Sequence, residues 1–417
     1  MDKLIIEGPC ELTGVVNISP AKNAYLPILA AIILTDKPVR LLNIPDLLDI
    51  KTMLKLLSNL GVEIKKEGNA TIFNAKNLTS HEATYDLVKT MRASIFVLGP
   101  LLARLKKAKV SLPGGCAIGT RPIDIHLENL EKMGVQINLQ HGYVEASTEK
   151  LKPASMTLSF PSVGATENLM MASVFTIGET VIENAAREPE IDDLAHFLNA
   201  MGAKISGMGT SRIVIQGVEE LQATTYQAIG DRIEAATYVM AALATNSELK
   251  IKNINPTHLD FVLQTVEKMG AKIECSDQCI TVKKHSGLKA VRIDTAPYPG
   301  YPTDAQAQLM ALCAFVEGTS SITENIFENR FMHVPELMRM GVDVTLKGHT
   351  ALVHGGKKCT GAPVMCTDLR ASAALVIAAL GAQGRSDISR IYHLDRGYEN
   401  LVEKLKNCGA KIRREKE

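Results

Sequence analysis

The sequence predicts an α/β fold of two domains, each built from three copies of one repeated unit, with strands outside and apolar helices inside. Three observations predict it. A glycine motif recurs six times. An amphipathic helix precedes each motif, and short strands lie on both sides of that helix. Every repeated unit also contains a second helix that is apolar on nearly all faces. The length agrees, because 417 residues are too many for one core and roughly 100 to 200 residues make a domain.

The recurring motif is a glycine followed by valine or alanine, a polar residue and an aliphatic residue. Its copies are separated by 68 to 73 residues. The six glycines are Gly61, Gly134, Gly202, Gly270, Gly341 and Gly409. Self-similarity at a nearly constant spacing is typical of a repeated structural unit.

An amphipathic helix is predicted before each glycine. In the first copy, Met53, Leu56 and Leu60 have the spacing of residues on one helical face. Because glycine readily adopts the left-handed conformation that ends helices, Gly61 and its counterparts are expected to be the C-terminal caps.

Strands are expected on both sides of this helix. One precedes it, as at residues 179–184, and two follow it, as at 204–206 and 212–215. The second, apolar helix of each copy should be buried all round. These helices are predicted at residues 24–35, 93–102, 166–176, 233–245, 305–316 and 371–380. Strands would then face outward from a helical centre, unlike those of an ordinary doubly wound sheet.

The break between the two domains is predicted near residues 226–230, with three copies on each side. A cleft between domains is a common place for a substrate. The substrate is therefore expected there.

Composition limits the class of ligand and the compartment. A net charge of +1 gives no general attraction to nucleic acid or to an anionic membrane, so neither is expected as a partner. The first residues read as a strand, and the longest apolar runs are shorter than the roughly 20 residues that span a bilayer. The eight cysteines are scattered without a framework spacing, which favours reduced thiols and a cytoplasmic protein.

No metal and no cofactor are expected. Cys275 and Cys279 have a spacing that metal ligands can have, but no second pair or nearby histidine completes a set of ligands.

Polar residues stand at the starts of the apolar helices. They are Lys22 with Asn23, Arg92, Ser162 with Val163 and Gly164, Asp231 with Arg232, Thr303 with Asp304, and Asp368 with Arg370. If they converge, these helix starts would form a site for a multiply anionic ligand. Ordinary capping explains the serine, threonine and aspartates equally well. It does not require lysine or arginine, since the helix dipole disfavours a cation at this end.

A glycine-rich loop at residues 112–122 is the candidate reactive segment. Its glycines allow close approach of the backbone to a ligand, and Cys116 lies among them with Arg121 five residues on. The alternative is a turn that happens to contain a cysteine. Only this copy of the repeat carries Pro-Gly-Gly-Cys, as expected if one copy is adapted to hold a reactive group.

Eight motifs spread along nearly the whole chain carry a family resemblance. They are Ala-Lys-Asn-Ala at 21–24, Lys-Thr-Met-Arg-Ala-Ser at 89–94, Leu-Pro-Gly-Gly-Cys at 112–116 with Arg-Pro at 121–122, Asn-Ala-Ala-Arg-Glu-Pro-Glu at 184–190, Pro-Thr-Asp at 302–304, Phe-Glu-Asn-Arg-Phe at 327–331, Asp-Leu-Arg-Ala-Ser at 368–372 and Asp-Arg-Gly-Tyr-Glu at 395–399. Together they resemble the UDP-N-acetylglucosamine 1-carboxyvinyltransferase family of enolpyruvyl transferases.

The resemblance implies transfer of the enolpyruvyl group of phosphoenolpyruvate to the 3-hydroxyl of UDP-N-acetylglucosamine with release of phosphate, the step that opens peptidoglycan synthesis. It implies two inside-out α/β barrel domains. Residues 1–19 would join residues 230–417 in a catalytic lobe, and residues 20–229 would form the lobe with the Cys116 loop.

The resemblance also implies roles for two residues. Cys116 would be the general acid, the site of a covalent phosphoenolpyruvate adduct and the target of the epoxide fosfomycin. A nearby Arg121 favours thiolate, which opposes the acid role, so the protonation state of Cys116 stays open. Asp304 would be the base that accepts the hydroxyl proton, with plain helix capping as its alternative.

Binding roles follow for the remaining motif residues. Phosphoenolpyruvate would be held by Lys22, Asn23, Arg121, Arg370 and Arg396, and Lys22 and Arg396 would also take part in catalysis. The nucleotide sugar would contact Asn23, Arg92, Arg121, Pro122, Ile123, Asp124, Ile125, Ser162, Val163, Gly164, Asp304 and Ile326. Arg330 is interpreted as a packing residue.

One position departs from the family, and two rival functions remain. Pro20 stands where the family usually has glycine, which puts the approach of Lys22 to phosphoenolpyruvate in doubt.

The related transferase acting on shikimate 3-phosphate has the same layout but lacks the Gly-Gly-Cys loop. A non-catalytic repeat scaffold would leave Cys116, Asp304 and the helix-start cations as coincidence.

Overall fold

The computed structural model describes residues 2–88, 91–112 and 123–416, apart from the side chains of Val88 and Arg92. These residues form two compact units. The first unit comprises residues 20–88, 91–112 and 123–229, and the second comprises residues 2–19 and 230–416. Each unit contains three copies of the repeat.

The helices of the described chain are α1 (Lys22–Ala31), α2 (Leu48–Asn59), α3 (Tyr85–Val88), α4 (Leu98–Leu105), α5 (Asp124–Lys132), α6 (Val163–Ser173), α7 (Pro189–Ala200), α8 (Arg232–Ala244), α9 (Asp260–Lys268), α10 (Gln306–Cys313), α11 (Val334–Arg339), α12 (Leu369–Gly381) and α13 (Leu401–Asn407). Short 3-10 helices cover Ile32–Leu34, Arg92–Val97, Pro256–Leu259, Thr303–Ala305 and Ile391–Arg396.

The strands are β1 (Asp2–Gly8), β2 (Val15–Asn17), β3 (Val39–Leu42), β4 (Glu63–Glu67), β5 (Ala70–Asn74), β6 (Glu82–Ala83), β7 (Lys107–Ser111), β8 (Gln136–Gln140), β9 (Tyr143–Ser147), β10 (Ser155–Thr157), β11 (Glu179–Glu183), β12 (Lys204–Ser206), β13 (Arg212–Gln216), β14 (Thr224–Tyr226), β15 (Leu249–Lys252), β16 (Lys272–Ser276), β17 (Cys279–Lys283), β18 (Arg292–Asp294), β19 (Gly318–Thr323), β20 (Asp343–Lys347), β21 (Thr350–Gly355), β22 (Pro363–Met365), β23 (Gly384–Ser389) and β24 (Ile412–Lys416).

The six repeats each build one four-stranded sheet. The third copy shows the pattern in the order β10-β11-β13-β12, where β10 runs parallel to β11 and the other pairs are antiparallel. The sequence predicts three strands in each copy, and the structure adds a fourth, parallel strand. That strand spans only two or three residues, as in Glu82–Ala83 and Ser155–Thr157, which is too short for apolar alternation to show.

The N-terminal segment completes two sheets of the second unit. Strand β1 lies between β23 and β24, and β2 pairs in parallel with β15. The expectation that two strands follow every glycine is therefore wrong for the last copy. There the second strand is β1, which comes from the other end of the chain.

All six motif glycines adopt a positive φ, between 87° at Gly134 and 105° at Gly270. Each follows the amphipathic helix of its copy, which confirms that they end these helices. A Cβ atom on Gly61 would also come within 2.7 Å of the carbonyl oxygen of Asn77. Glycine is required there by both conformation and space.

Apolar helices fill the centre of each unit, which confirms the predicted layer order. In the second unit α8, α10 and α12 pack on one another, and in the first unit α6 packs on both α1 and α4. Every residue of α12 from Arg370 to Leu380 is buried. Buried alanines such as Ala373, Ala374 and Ala378 keep side chains small between neighbouring helices.

The helix bounds differ from those predicted at several ends. The helix expected at 93–102 is the 3-10 helix Arg92–Val97 followed by α4, and the one expected at 305–316 is the 3-10 helix Thr303–Ala305 followed by α10. None of the helices in the described ranges is both long and apolar enough to cross a membrane.

Candidate active site

In the second unit, an aspartate lies between two buried arginines. Asp304 belongs to the 3-10 helix that leads into α10, and its Oδ1 accepts a hydrogen bond from Nη2 of Arg330 at 2.5 Å. Its Oδ2 accepts from Nη2 of Arg370 at 2.9 Å. Both arginine side chains are 4% exposed, whereas that of Asp304 is 29% exposed. The carboxylate of Asp304 is thus partly exposed to solvent while two buried guanidinium groups hold it.

Helix α12 places Arg370 in its first turn. The N-cap residue Asp368 accepts hydrogen bonds from the backbone N–H groups of Arg370 and Ala371 at 2.9 and 3.0 Å. Burial opposes the charge of the Arg370 guanidinium, but the attraction of Asp304 and Tyr398 outweighs it and raises the pKa of Arg370. Arg370 is therefore a permanent buried cation aimed at Asp304.

The backbone of Asp304 is held as well. Gln308 donates through Nε2 to the carbonyl oxygen of Asp304 at 2.8 Å. The capping interpretation of Asp304 is wrong, because the cap position of its 3-10 helix is Pro302 and the Asp304 side chain contacts arginines instead.

A buried glutamate connects Ile326 to this cluster. Glu324, which is 2% exposed, accepts from the Ile326 backbone N–H at 2.9 Å. It also accepts from the Thr303 hydroxyl at 2.9 Å, next to Asp304 in the chain. Glu324 therefore links the backbone of Ile326 to Thr303, the residue before Asp304, and Asp304 in turn contacts Arg370.

Arg396 ends the 3-10 helix Ile391–Arg396 and is partly buried. Burial and then the charge of Arg396 lower the pKa of His393.

In the first unit, Lys22 opens α1 and has a carboxylate partner. Its Nζ lies 3.2 Å from Oδ2 of Asp49, a residue in the first turn of α2. Lys22 is 8% exposed and Asp49 is 5% exposed. The chain reaches Lys22 through Ala21, whose backbone is extended at φ −66° and ψ 123°. Asn23 follows as the second, half-buried residue of α1.

The starts of α5 and α6 meet in the same unit. His126 Nδ1 lies 3.2 Å from Asn168 Nδ2, and a Cβ atom on Gly164 would lie 3.4 Å from the His126 ring. The predicted residues Ile123, Asp124 and Ile125 thus come close to Ser162, Val163 and Gly164. Ser162 caps α6 by accepting from the Ala165 N–H at 3.3 Å, so the capping interpretation holds for this serine.

Several predicted residues cannot be placed. Cys116, Arg121 and Pro122 lie outside the described residues, and only the backbone of Arg92 is described, at the start of its 3-10 helix. Among the described residues there is no group of three or more His, Cys, Asp or Glu side chains arranged to hold a metal ion.

Three site residues have no site role in the prediction from sequence. Arg330 belongs to the Phe-Glu-Asn-Arg-Phe motif and is interpreted from the sequence as a packing residue, but its side chain is 4% exposed and a buried guanidinium needs an anion beside it. Asp49 and Glu324 carried no local signal, since their partners are 27 and 21 residues away in sequence.

Known proteins resemble this chain over its full length. Residues 6–405 match the family described as EPSP synthase (3-phosphoshikimate 1-carboxyvinyltransferase). A UDP-N-acetylglucosamine 1-carboxyvinyltransferase of Geobacter metallireducens is 52% identical over 417 residues, covering 100% of both chains. One of Nitratidesulfovibrio vulgaris is 53% identical over 418 residues, also covering 100% of both.

Solved structures of enolpyruvyl transferases have a similar fold. The enolpyruvyl transferase NikO of Streptomyces tendae superposes with a TM-score of 0.89 at 26% identity, covering 99% of this chain and 98% of that one. An EPSP synthase of Acinetobacter baumannii, at 18% identity, 100% coverage of both chains and a TM-score of 0.78, shares the fold. The chain therefore belongs to the enolpyruvyl transferases, in the UDP-N-acetylglucosamine 1-carboxyvinyltransferase family.

Proposed function

We propose that this enzyme transfers the enolpyruvyl group of phosphoenolpyruvate to the 3-hydroxyl of UDP-N-acetylglucosamine and releases phosphate, the first committed step of peptidoglycan synthesis. The observation that carries the proposal is Asp304, a partly exposed carboxylate held by two buried arginines, in a chain 52% identical to relatives of that name.

The reaction is an addition followed by an elimination. The sugar hydroxyl adds to the central carbon of phosphoenolpyruvate while Asp304 accepts its proton and Cys116 donates a proton to the methylene carbon. The new methyl group then returns a proton to the Cys116 thiolate left by the addition, and the bond from the central carbon to the phosphate oxygen breaks. The double bond is restored on the sugar ether, and inorganic phosphate leaves.

The arginine pair gives Asp304 a way to become active only when substrate is bound. Arg330 and Arg370 each donate to one oxygen of Asp304. Phosphoenolpyruvate carries a carboxylate and a phosphate, both of which match the guanidinium fork. An anion that takes over Arg370 frees Oδ2 of Asp304 to accept the hydroxyl proton, while Arg330 still holds Oδ1 and keeps the carboxylate oriented.

The other roles follow the family motifs. Lys22, Asn23, Arg121, Arg370 and Arg396 hold phosphoenolpyruvate, and Lys22 and Arg396 stabilise charge on the departing phosphate. The nucleotide sugar is held by Asn23, Arg92, residues 121–125, residues 162–164, Asp304 and Ile326. Residues 1–19 with 230–417 form the catalytic lobe, and residues 20–229 form the lobe with the Cys116 loop.

We also infer that the enzyme works in the cytoplasm. The seven described cysteines are all free, as in proteins of a reducing compartment.

The test is phosphate release from phosphoenolpyruvate by the purified enzyme. Release is expected with UDP-N-acetylglucosamine and absent both without an acceptor and with shikimate 3-phosphate. Mass spectrometry of the sugar product should show the added enolpyruvyl group. No release with UDP-N-acetylglucosamine, or equal release with shikimate 3-phosphate, would overturn the proposal.

A further inference from the structure

Three central helices of the second unit each contribute one polar side chain to a buried cluster around the hydroxyl of Tyr398. Thr237 comes from α8, Gln308 from α10 and Arg370 from α12. Tyr398 follows the 3-10 helix Ile391–Arg396. All four side chains are buried, and all four residues belong to the same compact unit.

The hydrogen bonds of this cluster fix the direction of the Tyr398 hydroxyl. The Thr237 hydroxyl donates its one hydrogen to the carbonyl oxygen of Ile233 at 2.8 Å. It therefore accepts from the Tyr398 hydroxyl, whose oxygen lies 3.0 Å from Oγ1 of Thr237. Because the Tyr398 hydrogen points toward Thr237, the lone pairs of the Tyr398 oxygen are left for other donors.

Those donors belong to the two residues that hold Asp304 from this side. Nη1 of Arg370 donates to the Tyr398 oxygen at 3.4 Å, while Nη2 of the same guanidinium donates to Oδ2 of Asp304. Nε2 of Gln308 lies 3.3 Å from the Tyr398 oxygen and also donates to the backbone carbonyl of Asp304. The guanidinium carbon of Arg370 lies 5.7 Å from the centre of the Tyr398 ring. Tyr398 thus contacts Arg370 through both its hydroxyl and its ring.

A neutral acceptor suits an arginine that must bind an anionic substrate. Burial raises the pKa of Tyr398, although the charge of Arg370 opposes the rise, so the phenol keeps its proton. A phenol oxygen orients the guanidinium without neutralising it, whereas a second carboxylate would compete with the substrate for the positive charge. When phosphoenolpyruvate takes Nη2 from Asp304, the contact of Nη1 with Tyr398 is still available.

Stability alone is a weaker explanation for the pair of hydroxyl groups. Replacing both partners of a buried hydrogen bond by apolar groups of the same shape is often nearly neutral for stability. What the hydroxyl groups of Tyr398 and Thr237 supply is a fixed direction for the hydrogen bond to Arg370, which apolar packing does not supply.

We propose that Tyr398, with its hydroxyl aligned by Thr237, is a positioning residue for Arg370: it orients the guanidinium toward phosphoenolpyruvate and leaves its positive charge for the substrate. The inference rests on the proposed function. It assigns a role to Thr237, which lies outside the family motifs, and to Tyr398, in a motif where only Arg396 has a role so far.

The test is steady-state kinetics of Tyr398→Phe, Thr237→Val and Thr237→Ser, with Tyr392→Phe as the control on a tyrosine that is 44% exposed. Tyr398→Phe keeps the ring and should raise KM for phosphoenolpyruvate about tenfold, the effect of one lost hydrogen bond to a charged group. Thr237→Val should raise it about threefold, since a neutral hydrogen bond contributes less. Thr237→Ser keeps the hydroxyl and should match the wild type, as should Tyr392→Phe.

Two further measurements separate positioning from a general loss of structure. KM for UDP-N-acetylglucosamine should change less than about twofold in every variant, because Arg370 is assigned to phosphoenolpyruvate. The double variant Tyr398→Phe/Thr237→Val should stay at about tenfold, since Thr237 acts through the hydroxyl that Tyr398→Phe removes. Independent effects would multiply to about thirtyfold.

The two proposals fail in different ways. A wild-type enzyme that releases no phosphate overturns the proposed function. An active wild type whose Tyr398→Phe variant keeps KM for phosphoenolpyruvate, or loses affinity for both substrates equally, overturns the positioning role. If Tyr398→Phe fails to fold, the comparison of Thr237→Val with Thr237→Ser carries the test, and equal KM values for phosphoenolpyruvate in these two variants overturn the role.

Discussion

Nη2 of Arg330 lies 2.5 Å from Oδ1 of Asp304, and the arginine is buried while the aspartate reaches solvent. The arginine comes from the chain after β19 and the aspartate from the chain before α10, 26 residues earlier. The buried guanidinium of Arg330 needs a negative charge beside it, so it holds the Asp304 carboxylate in one orientation. This fixed orientation is what a general base requires before substrate arrives.

Asp304→Asn should lower kcat by about 10² to 10⁴-fold, since an amide cannot accept the hydroxyl proton and general base catalysis is worth that much. Steady-state phosphate release measures the effect. Asp294→Asn, at the exposed end of β18, is the control and should keep wild-type activity. A decrease of less than about tenfold for Asp304→Asn would assign the proton transfer to another group.

Arg330→Gln should lower kcat/KM for phosphoenolpyruvate by about 10²-fold, because Asp304 loses the hydrogen bond that orients it and a misplaced catalytic group costs about that much. The packing interpretation predicts instead a loss of thermal stability with kinetics unchanged. Arg339→Gln, on an arginine that is 57% exposed, serves as the control. Kinetics and thermal unfolding of both variants separate the two interpretations.

Cys116→Ser should abolish labelling by fosfomycin, since the epoxide requires a reactive thiol. Intact-mass spectrometry should show one adduct on the wild-type chain and none on the variant. Cys275→Ser is the matched control on an exposed cysteine and should keep the single adduct. One adduct persisting on Cys116→Ser would place the reactive thiol elsewhere.

Glu167→Gln should stabilise the protein at alkaline pH. Burial, followed by the charges of Glu190 and Glu188, raises the pKa of Glu167 well above its ordinary value, and neither carboxyl oxygen has a hydrogen-bond partner among the described residues. A raised pKa in the folded state favours folding fully below the unfolded pKa, and that contribution is lost as pH rises through the folded pKa.

The gain in Tm for Glu167→Gln should therefore be larger at pH 8 than at pH 5, about 2 to 4 °C at pH 8 if the difference is near 1 kcal/mol. Thermal unfolding at both pH values measures it. Glu63→Gln, on exposed β4, should show no such pH dependence. An equal shift at both pH values would contradict a protonated Glu167.

The repeat, the helix ends and the layer order could be predicted because their causes are local. Gly61 ends its helix through a local preference, since glycine adopts the positive φ of a helix C-terminus at no steric cost. A helix such as α12, apolar on every face, can be stable only when it is surrounded by protein.

Other features depend on contacts that no local pattern encodes. Strand β1 fills the sheet of the last repeat from the opposite end of the chain, and the parallel edge strands are formed by two or three residues that only a neighbour can hold in place.

The sequence by itself determined the family, the six repeats and the candidates Cys116, Asp304 and Lys22. Only the tertiary structure decided that Arg330 belongs with Asp304 and that Asp49 faces Lys22. The physical reason is that a buried charge must find an opposite charge in space, and the folded chain brings that partner from a distant position.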